Sequence, residues 1–597
     1  MVWYQEEWTK LLEKLKKQKP QPPAIYQIIK DSSLVAVDNT SITLLFPDEE
    51  QQKKAKANIQ KILNILPDML KRQRVNCLVQ TSGVTKIMNP LQELKHTLSD
   101  DESGKTILKA AIDADSTCEE LYKYLADKTS RLANEILDVS FPWRLRVGGM
   151  RGFKELLLPA LHPVYGIPYV PASSLKGAVK AWAKDEAELD RLLGTLDNGI
   201  GCVQIFDAFP TAPCLNMDIT NPQWHGNQNL QYQPVPHHFI SMQQPHLRIG
   251  LAKTKRGSLQ DVQTVKQWLI EALKVGIGSR VSAGYGRSEF CTSLPHASQH
   301  QFQLWTQGIH GADTNNSEFR PVALRGVLRY WFRAVALGIY SLRECKKLED
   351  TFFGTIEPKS HRGSISINVE LNKKVTEKNR PDEYHGTILL EAKSASHLKL
   401  IQKLLQLTSH ISGIGKGSRR PLHWNHPRFR GCYWEISGMQ LPYNQEDWQR
   451  LLQDLREYFI SIQSPQDSPA VGDPGSVRNR YQDVLNQKAA IYLVRSPALK
   501  HPKDVRNWLQ EGNKPHVHGT ALETLYNSGY KGVNRQGDGN AEVGGNLGTP
   551  SFVIIKSNFP LPNQGYQTVT IFGLDNKKRA AFIRTLENEN EVIKVFP

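Results

Sequence analysis

Apolar residues recur every three or four positions near the start of the chain, at Trp8, Leu11, Leu12 and Leu15, the spacing of a helix with one buried face. Short apolar runs at 33–37 and 42–46 flank the turn residues Asp38 and Asn39 and predict two strands. A long helical stripe follows at 51–70, and a third strand at 75–80. These elements predict a small α/β module over residues 1–80. Lys14, Lys16, Lys17 and Lys19 give it a solvated face, which suits an adapter that docks another protein. Residues 81–105 lose the periodicity and end in the acidic, turn-forming run at 99–104, so 81–136 reads as a linker followed by a helix.

From 137 onward the pattern alternates between strand and helix, and does so twice. In residues 137–295 the apolar runs predict a strand at 139–147, a helix opening at Pro171, strands at 201–208 and 247–252, a helix at 261–275 and a closing strand at 285–292. From residue 300 the same order returns, with strands at 302–306, 364–371, 387–392 and 433–437 and helices at 321–338 and 398–407. Strand, helix, strand, strand, helix, strand suits a four-stranded antiparallel sheet with two helices on one face. The fold class predicted is therefore α+β, with tandem ferredoxin-like (RRM-like) domains. Beyond 440, an amphipathic helix, a Pro/Gly/Asp-rich break at 464–476, short helical segments and a strand pair at 550–556 and 567–574 predict helical insertions that complete the second domain over 300–597.

The two halves also share motifs. Leu175, Lys176 and Gly177, with Lys180 and Trp182, match Leu324, Arg325 and Gly326, with Arg329 and Trp331. Each opens a helix beside a proline, with Arg320 just ahead of the second. A helix start presents free N–H groups and a partial positive charge, so cations and a glycine in its first turns fit an anionic ligand. Trp182 and Trp331 fall on the apolar faces and are predicted to be core. Leu193, Gly194 and Thr195 match Phe353, Gly354 and Thr355 in the same order. Each half ends with a glycine loop: Gly276, Gly278, Ser279, Arg280, Gly284, Tyr285, Gly286 and Arg287 in the first, and Gly413, Gly415, Lys416, Gly417, Ser418, Arg419 and Arg420 in the second. Glycines at this density let backbone N–H groups converge on an anion; arginines add bidentate phosphate contacts, and Tyr285 is the candidate for stacking on a base. The competing reading is a tight turn with surface arginines. Repetition of four landmarks in one order argues for duplicated or fused related domains.

Charge points the same way. Lys plus Arg outnumber Asp plus Glu by 75 to 59, a formal net charge of +16, which favours a polyanionic partner. Seven cysteines without a C-x-x-C pair exclude a zinc ribbon and suit a reducing cytoplasm. No apolar run is long enough for a membrane span and no leader pattern opens the chain, which predicts a cytoplasmic protein with no membrane partner.

With these motifs in place the chain resembles the RAMP superfamily of CRISPR-associated proteins. Residues 137–295, through 165–177, Asp207 with Ala208 and the loop 276–287, resemble subunit six of the type III-B (Cmr) effector. Residues 300–597, through 308–313, 320–333, 352–355 and 413–420, resemble subunit one. The resemblance implies a non-catalytic RNA-binding subunit that caps a type III effector. It would hold the CRISPR guide RNA and its duplex with complementary target RNA near the guide 3′ end. Its implied partners are the backbone RAMP subunits, the large polymerase/cyclase-like subunit and the small subunit. Catalytic members cut target RNA with an Asp between the first strand and the Leu-base-Gly helix. The first half has none between 144 and 184. The second has Asp313, which beside Gly311 and Asn315 also reads as a turn former. No cofactor is implied; a divalent metal enters only if Asp313 cleaves target RNA, as in a type III-D-like fusion. Guide processing with His310 or His423 as general base is the remaining enzymatic reading.

Overall fold

The computed structural model describes the chain apart from residues 1–4, 20, 38–40, 48, 69, 72–73, 80–87, 95–101, 149–158, 184, 198, 221–223, 226–230, 233–236, 291–293, 310, 314–316, 356–360, 416, 471–482, 511–513, 528, 534–538, 547–549 and 562–563. It divides into two compact units, Met1–Met88 and Asn89–Pro597. The first unit runs α1 (Gln5–Lys16), α2 (Ala24–Ile29), β1 (Ser33–Val37), β2 (Ser41–Phe46), α3 (Glu49–Ala57), α4 (Ile59–Ile65) and β3 (Arg74–Val79). Its three strands lie in the order β1-β2-β3, antiparallel then parallel. In β2 every second residue is buried, and Trp8, Ile42, Leu44, Phe46 and Ile62 close the core, as the alternation and the helical stripe predict.

In the second unit, after a short helical turn at Pro90–Glu93, come α5 (Glu102–Ser116) and α6 (Glu119–Leu132). Its first segment follows: β4 (Glu135–Ser140), β5 (Arg144–Leu145), α7 (Ala172–Trp182), β6 (Val203–Ile205), β7 (Leu215–Thr220), β8 (His237–Gln243), β9 (His246–Lys253) and α8 (Leu259–Val275). The strands make two sheets, β4-β9-β6 and β7-β8-β5. Ser258 and Asp261 form a capping box that starts α8, and Gly276 (φ +101°) ends it. The strand expected at 285–292 is absent among the described residues: positive φ at Gly278, Arg280, Gly284 and Gly286 coils the chain instead of extending it.

The second segment is β10 (His296–Thr306), α9 (Pro321–Leu337), α10 (Leu342–Phe353), β11 (Ile365–Val375), β12 (Asp382–Ala392), α11 (Ala395–Ile411), β13 (Cys432–Ile436) and α12 (Gln445–Ile462). Its antiparallel sheet has the order β11-β12-β10-β13. The C-terminal residues correct the expectation of helical insertions. β14 (Ala490–Arg495), β15 (Val553–Asn558), β16 (Tyr566–Ile571), α13 (Lys577–Glu589) and β17 (Val592–Phe596) form a second four-stranded antiparallel sheet, in the order β15-β16-β14-β17. The strand pair expected at 550–556 and 567–574 is β15 and β16; the strands not foreseen are β14 and β17, and β14 is buried over 490–494, so it lacks the in-out alternation of a half-exposed strand. Trp331, Ile491, Leu493, Ile554 and Phe572 belong to one core that joins this sheet to the second segment. Among the described residues no helix is long and apolar enough to cross a membrane.

Candidate nucleic-acid interface

The two Leu-base-Gly helices show the expected amphipathic faces. Leu175 and Val179 of α7, and Leu324, Leu328 and Trp331 of α9, are buried, while Gly177 and Gly326 face outward. A Cβ built on either glycine would meet nothing within 4 Å. Neither glycine is demanded by internal packing, and a helical Gly costs about 0.8–1.0 kcal/mol relative to Ala. Lys176 and Lys180 lie one turn apart on α7 and make no ion pair among the described residues; burial, and then the charge of Lys180, push the Lys176 ammonium down. Trp182, expected in the core, is 41% exposed at the C-terminus of α7, where the helix ends before its apolar face is fully covered. The anion position at the N-terminus of α7 is taken by the protein itself, since Asp207 Oδ1 accepts the Ala172 N–H at 2.7 Å.

On α9 the cations are engaged. Arg325 Nη2 donates to the Phe353 carbonyl at 2.7 Å and its guanidinium lies 5.4 Å over the Phe353 ring. Arg329 and Arg333 both pair with Glu349.

The first glycine loop is built as a turn. The N–H groups of Ile277, Ser279, Ala283, Gly284, Tyr285 and Gly286 donate to carbonyls of the loop or of 144–146, so these do not converge on an anion. Gly278 (φ +80°) is required by space as well as conformation, because a Cβ there would stand 2.3 Å from the Arg146 carbonyl oxygen. Arg280 holds a left-handed φ of +61°, uncommon for a residue with a Cβ, and its guanidinium lies 5.0 Å over the Phe239 ring. Arg146 approaches the same ring at 5.4 Å; burial and Arg280 push its pKa down.

Tyr285 is a correction. It is 1% exposed, and its hydroxyl donates to Asp218 Oδ2 at 2.7 Å, so it is a core residue and not a platform for a base. Asp218 is the centre of a buried polar knot between the segments. It accepts from Arg320 Nη2 at 3.0 Å and from Ser241 Oγ at 3.1 Å, while Arg144 donates to Ser241 and, through Nε and Nη2, to Glu318. Burial by itself would raise the Asp218 carboxyl, but Arg144, Arg320 and the Tyr285 hydroxyl outweigh it and hold it below the usual carboxylate range. Arg320, a candidate contact to an anionic ligand in the sequence, is therefore a structural cation.

In the second glycine loop Lys416 lies outside the described residues, and the arginines again face inward. Arg419 donates to Asp483 Oδ2 at 2.5 Å and to the Ser551 carbonyl at 2.7 Å. Arg420 donates to the Val553 carbonyl at 2.8 Å, and burial pushes it down to about 10. Both tie the loop to the C-terminal sheet, a role that needed the tertiary fold to be seen. Gly413 sits so close to Cys432 that a Cβ would meet its Sγ at 2.1 Å, Gly415 has φ +75°, and Ser418 accepts the Gly413 N–H at 2.8 Å through its carbonyl.

The catalytic candidates stand as follows. Asp313 is exposed in the loop between β10 and α9, His310 lies outside the described residues, and His423 is fully buried against His518 and Tyr526. Burial pushes the His423 imidazole down to about 3, so it is neutral and closed to RNA, which removes it as a general base. Among the described residues no group of three or more His, Cys, Asp or Glu is placed to hold a metal ion. Arg146, Phe239 and Arg362 stand beside the candidate cations Arg280 and Arg287 and were not picked out by the motif reading. No motif marked Arg146, which directly follows the two-residue strand β5.

A profile of the RAMP superfamily matches residues 142–289 and 308–420, one match over each glycine-loop segment. Both matched segments are similar to the RAMP superfamily. The CRISPR system Cmr subunit Cmr1-2 of Pyrococcus furiosus is 37% identical over 68 residues, 11% of this chain and 36% of that protein, so the match spans about a third of that relative's length. Among solved structures, Cmr1 of Pyrococcus furiosus in its apo form is 14% identical, with a TM-score of 0.29, covering 50% of this chain and 99% of that one. Cmr6 of the same organism is 20% identical, with a TM-score of 0.18, covering 26% and 98%. The RAMP segments of this chain are joined in one polypeptide by the residues around 290–307 and by the Asp218 knot.

Proposed function

We propose that this chain is a non-catalytic RNA-binding subunit of a type III CRISPR effector ribonucleoprotein, two capping RAMP units fused into one chain. It holds the guide RNA and its duplex with target RNA near the guide 3′ end, beside backbone RAMP subunits, the large polymerase/cyclase-like subunit and the small subunit. The observation that carries the reading is the outward Gly177, with open space where a Cβ would stand, beside Lys176 and Lys180, two cations without ion-pair partners among the described residues. A helix keeps a destabilising glycine there to let another backbone approach, and lysines left to solvent match that backbone's phosphates. The +16 net charge and the RAMP match support the same reading. We read the second segment and the C-terminal sheet as ferredoxin-like units, because each orders its four strands 2-3-1-4 in chain order. The first unit, Met1–Met88, is read as a docking adapter.

The test is binding of a labelled single-stranded RNA to the full chain, with affinity followed from about 50 to about 200 mM salt. Each phosphate neutralised on a single strand contributes about −0.7 to the log-log slope, so the double variant Lys176→Gln/Lys180→Gln should flatten it by about 1.4. A wild-type affinity independent of salt would sink the reading. In the complex purified from its host, short CRISPR-derived guides should co-purify, and Asp313→Ala should leave the pattern of target cuts unchanged; loss of one cut would assign cleavage to this chain.

A further inference from the structure

Arg287 ends the first glycine loop and turns toward the second RAMP segment. Its Nη1 donates to the Val275 carbonyl at 3.0 Å, while its Nε is buried without a hydrogen-bond partner. The loop is pressed against the start of α9: a Cβ on Gly284 would come within 3.0 Å of Pro321. On the α9 side stands Arg325, held flat over the Phe353 ring by its bond to the Phe353 carbonyl. The chain then turns at Gly354 (φ +81°) and returns through the Thr355–His361 bridge. The return is so close that a Cβ on Gly354 would lie 2.8 Å from the Gly363 nitrogen. That return brings Arg362 to the same place. The three guanidiniums feel one another: burial first, then Arg362 and Arg325, push Arg287 down to about 10, and burial and Arg329 do the same to Arg325.

The charge at this seam does not close. Glu391 on β12 acts on Arg287 and Arg362, and Glu349 on α10 acts on Arg325 and pairs with Arg329 and Arg333. Among the described residues, five arginines thus stand with two carboxylates, Glu349 and Glu391. Partly buried cations in such surplus are costly unless an anion joins them. All five are arginines, whose planar forks match phosphate oxygens two at a time, and Gly326 beside Arg325 leaves the helix surface open to a backbone.

We infer that Arg287, Arg325 and Arg362 form an anion site at the seam of the two RAMP segments for an internal phosphodiester of an RNA strand running from the first glycine loop to α9. This rests on the RNA-binding reading above. The strand would thread motifs of both halves, which makes the fusion of the segments part of the site.

The experiment is anisotropy of the full chain with a labelled single-stranded RNA lacking terminal phosphates, comparing wild type with Arg362→Gln and Arg287→Gln. Arg362 is exposed, so Arg362→Gln is expected to fold; Arg287→Lys, which keeps the charge, stands in if Arg287→Gln does not fold. Each Gln variant should flatten the log-log salt slope by about 0.7, equally for RNAs of different sequence, and weaken binding about three- to tenfold at low salt. Arg287→Lys should keep the slope and lose part of the affinity. Wild-type binding with a normal slope, together with unchanged slope and affinity in Arg362→Gln, would overturn the seam site while leaving the RNA reading in place. No RNA binding by the wild type would overturn both.

Discussion

Replacing Asp218 by Ala tests whether the buried knot holds the two RAMP segments as one body. Asp218 is fully buried, and Arg144 and Arg320 are 3% and 9% exposed, so removing the carboxylate leaves two guanidiniums with little access to water. Breaking a buried pair in this way costs about 3–5 kcal/mol. Arg144 keeps Glu318 at 2.7 Å and Arg320 keeps it at 3.6 Å, which places the expected loss near the lower end, about 3 kcal/mol. Unfolding entropy scales with size, about 2.1 cal/mol/K per residue. If Asn89–Pro597 melts as one unit its entropy is about 1.1 kcal/mol/K, and the variant should melt about 3 °C lower. If the first segment melts alone, with roughly 200 residues, the shift grows to about 7 °C in that transition. Differential scanning calorimetry reads both the shift and the number of transitions. Asp218→Leu with Arg320→Met, which removes both charges, should be less destabilised than Asp218→Ala. The lowered carboxyl also fixes the pH dependence. A folded value below the unfolded value of about 3.9 contributes stability above that pH, and the contribution is lost as pH falls through the folded value. Wild type and Asp218→Ala should therefore converge as the pH drops below about 4. A melting point within about 1 °C of wild type at neutral pH would refute the account of the knot.

Three further predictions concern other parts of the second unit. Lys556 is buried in β15 with its Nζ 4.1 Å over the Tyr433 ring, and burial, opposed by Cys432 and Glu435, pushes it down to about 7. Between there and the unfolded value of about 10.4 the unfolded chain binds the extra proton, so stability should rise with pH by up to about 1.4 kcal/mol per unit. Lys556→Met should flatten that rise in urea midpoints and be the more stable form near pH 7; parallel profiles would contradict it. Gly286→Ala places a Cβ 1.9 Å from the Ile277 carbonyl oxygen at φ +60° and should lower stability by about 1–3 kcal/mol or more. Gly177→Ala should raise it by up to about 1 kcal/mol yet weaken RNA binding. A Gly177→Ala protein that is more stable and binds RNA unchanged would contradict the role given to the open helix face.

What the sequence by itself determined is local. The period of apolar residues placed α7, α8, α9 and α11 and most strands of the second segment, because amphipathic periodicity and capping residues act within a few positions of one another. The same reading found both Leu-base-Gly helices and the outward glycines on them. It failed at β14, where burial on both faces over 490–494 erased the period, at β17, and at 285–292, where positive φ made a coil of an expected strand. The tertiary structure alone decided what each charge meets. Tyr285 finds Asp218 across 67 residues, Arg320 finds it across 102, and Arg419 finds Asp483 across 64. Gly-Ser-Arg loops read alike whether their arginines face a ligand or a partner strand, since a cation's role is set by the nearest carboxylate and by its access to water. Both are properties of the packed chain. The seam of Arg287, Arg325 and Arg362 exists for the same reason: three motifs far apart in the sequence share one corner only after the two segments dock.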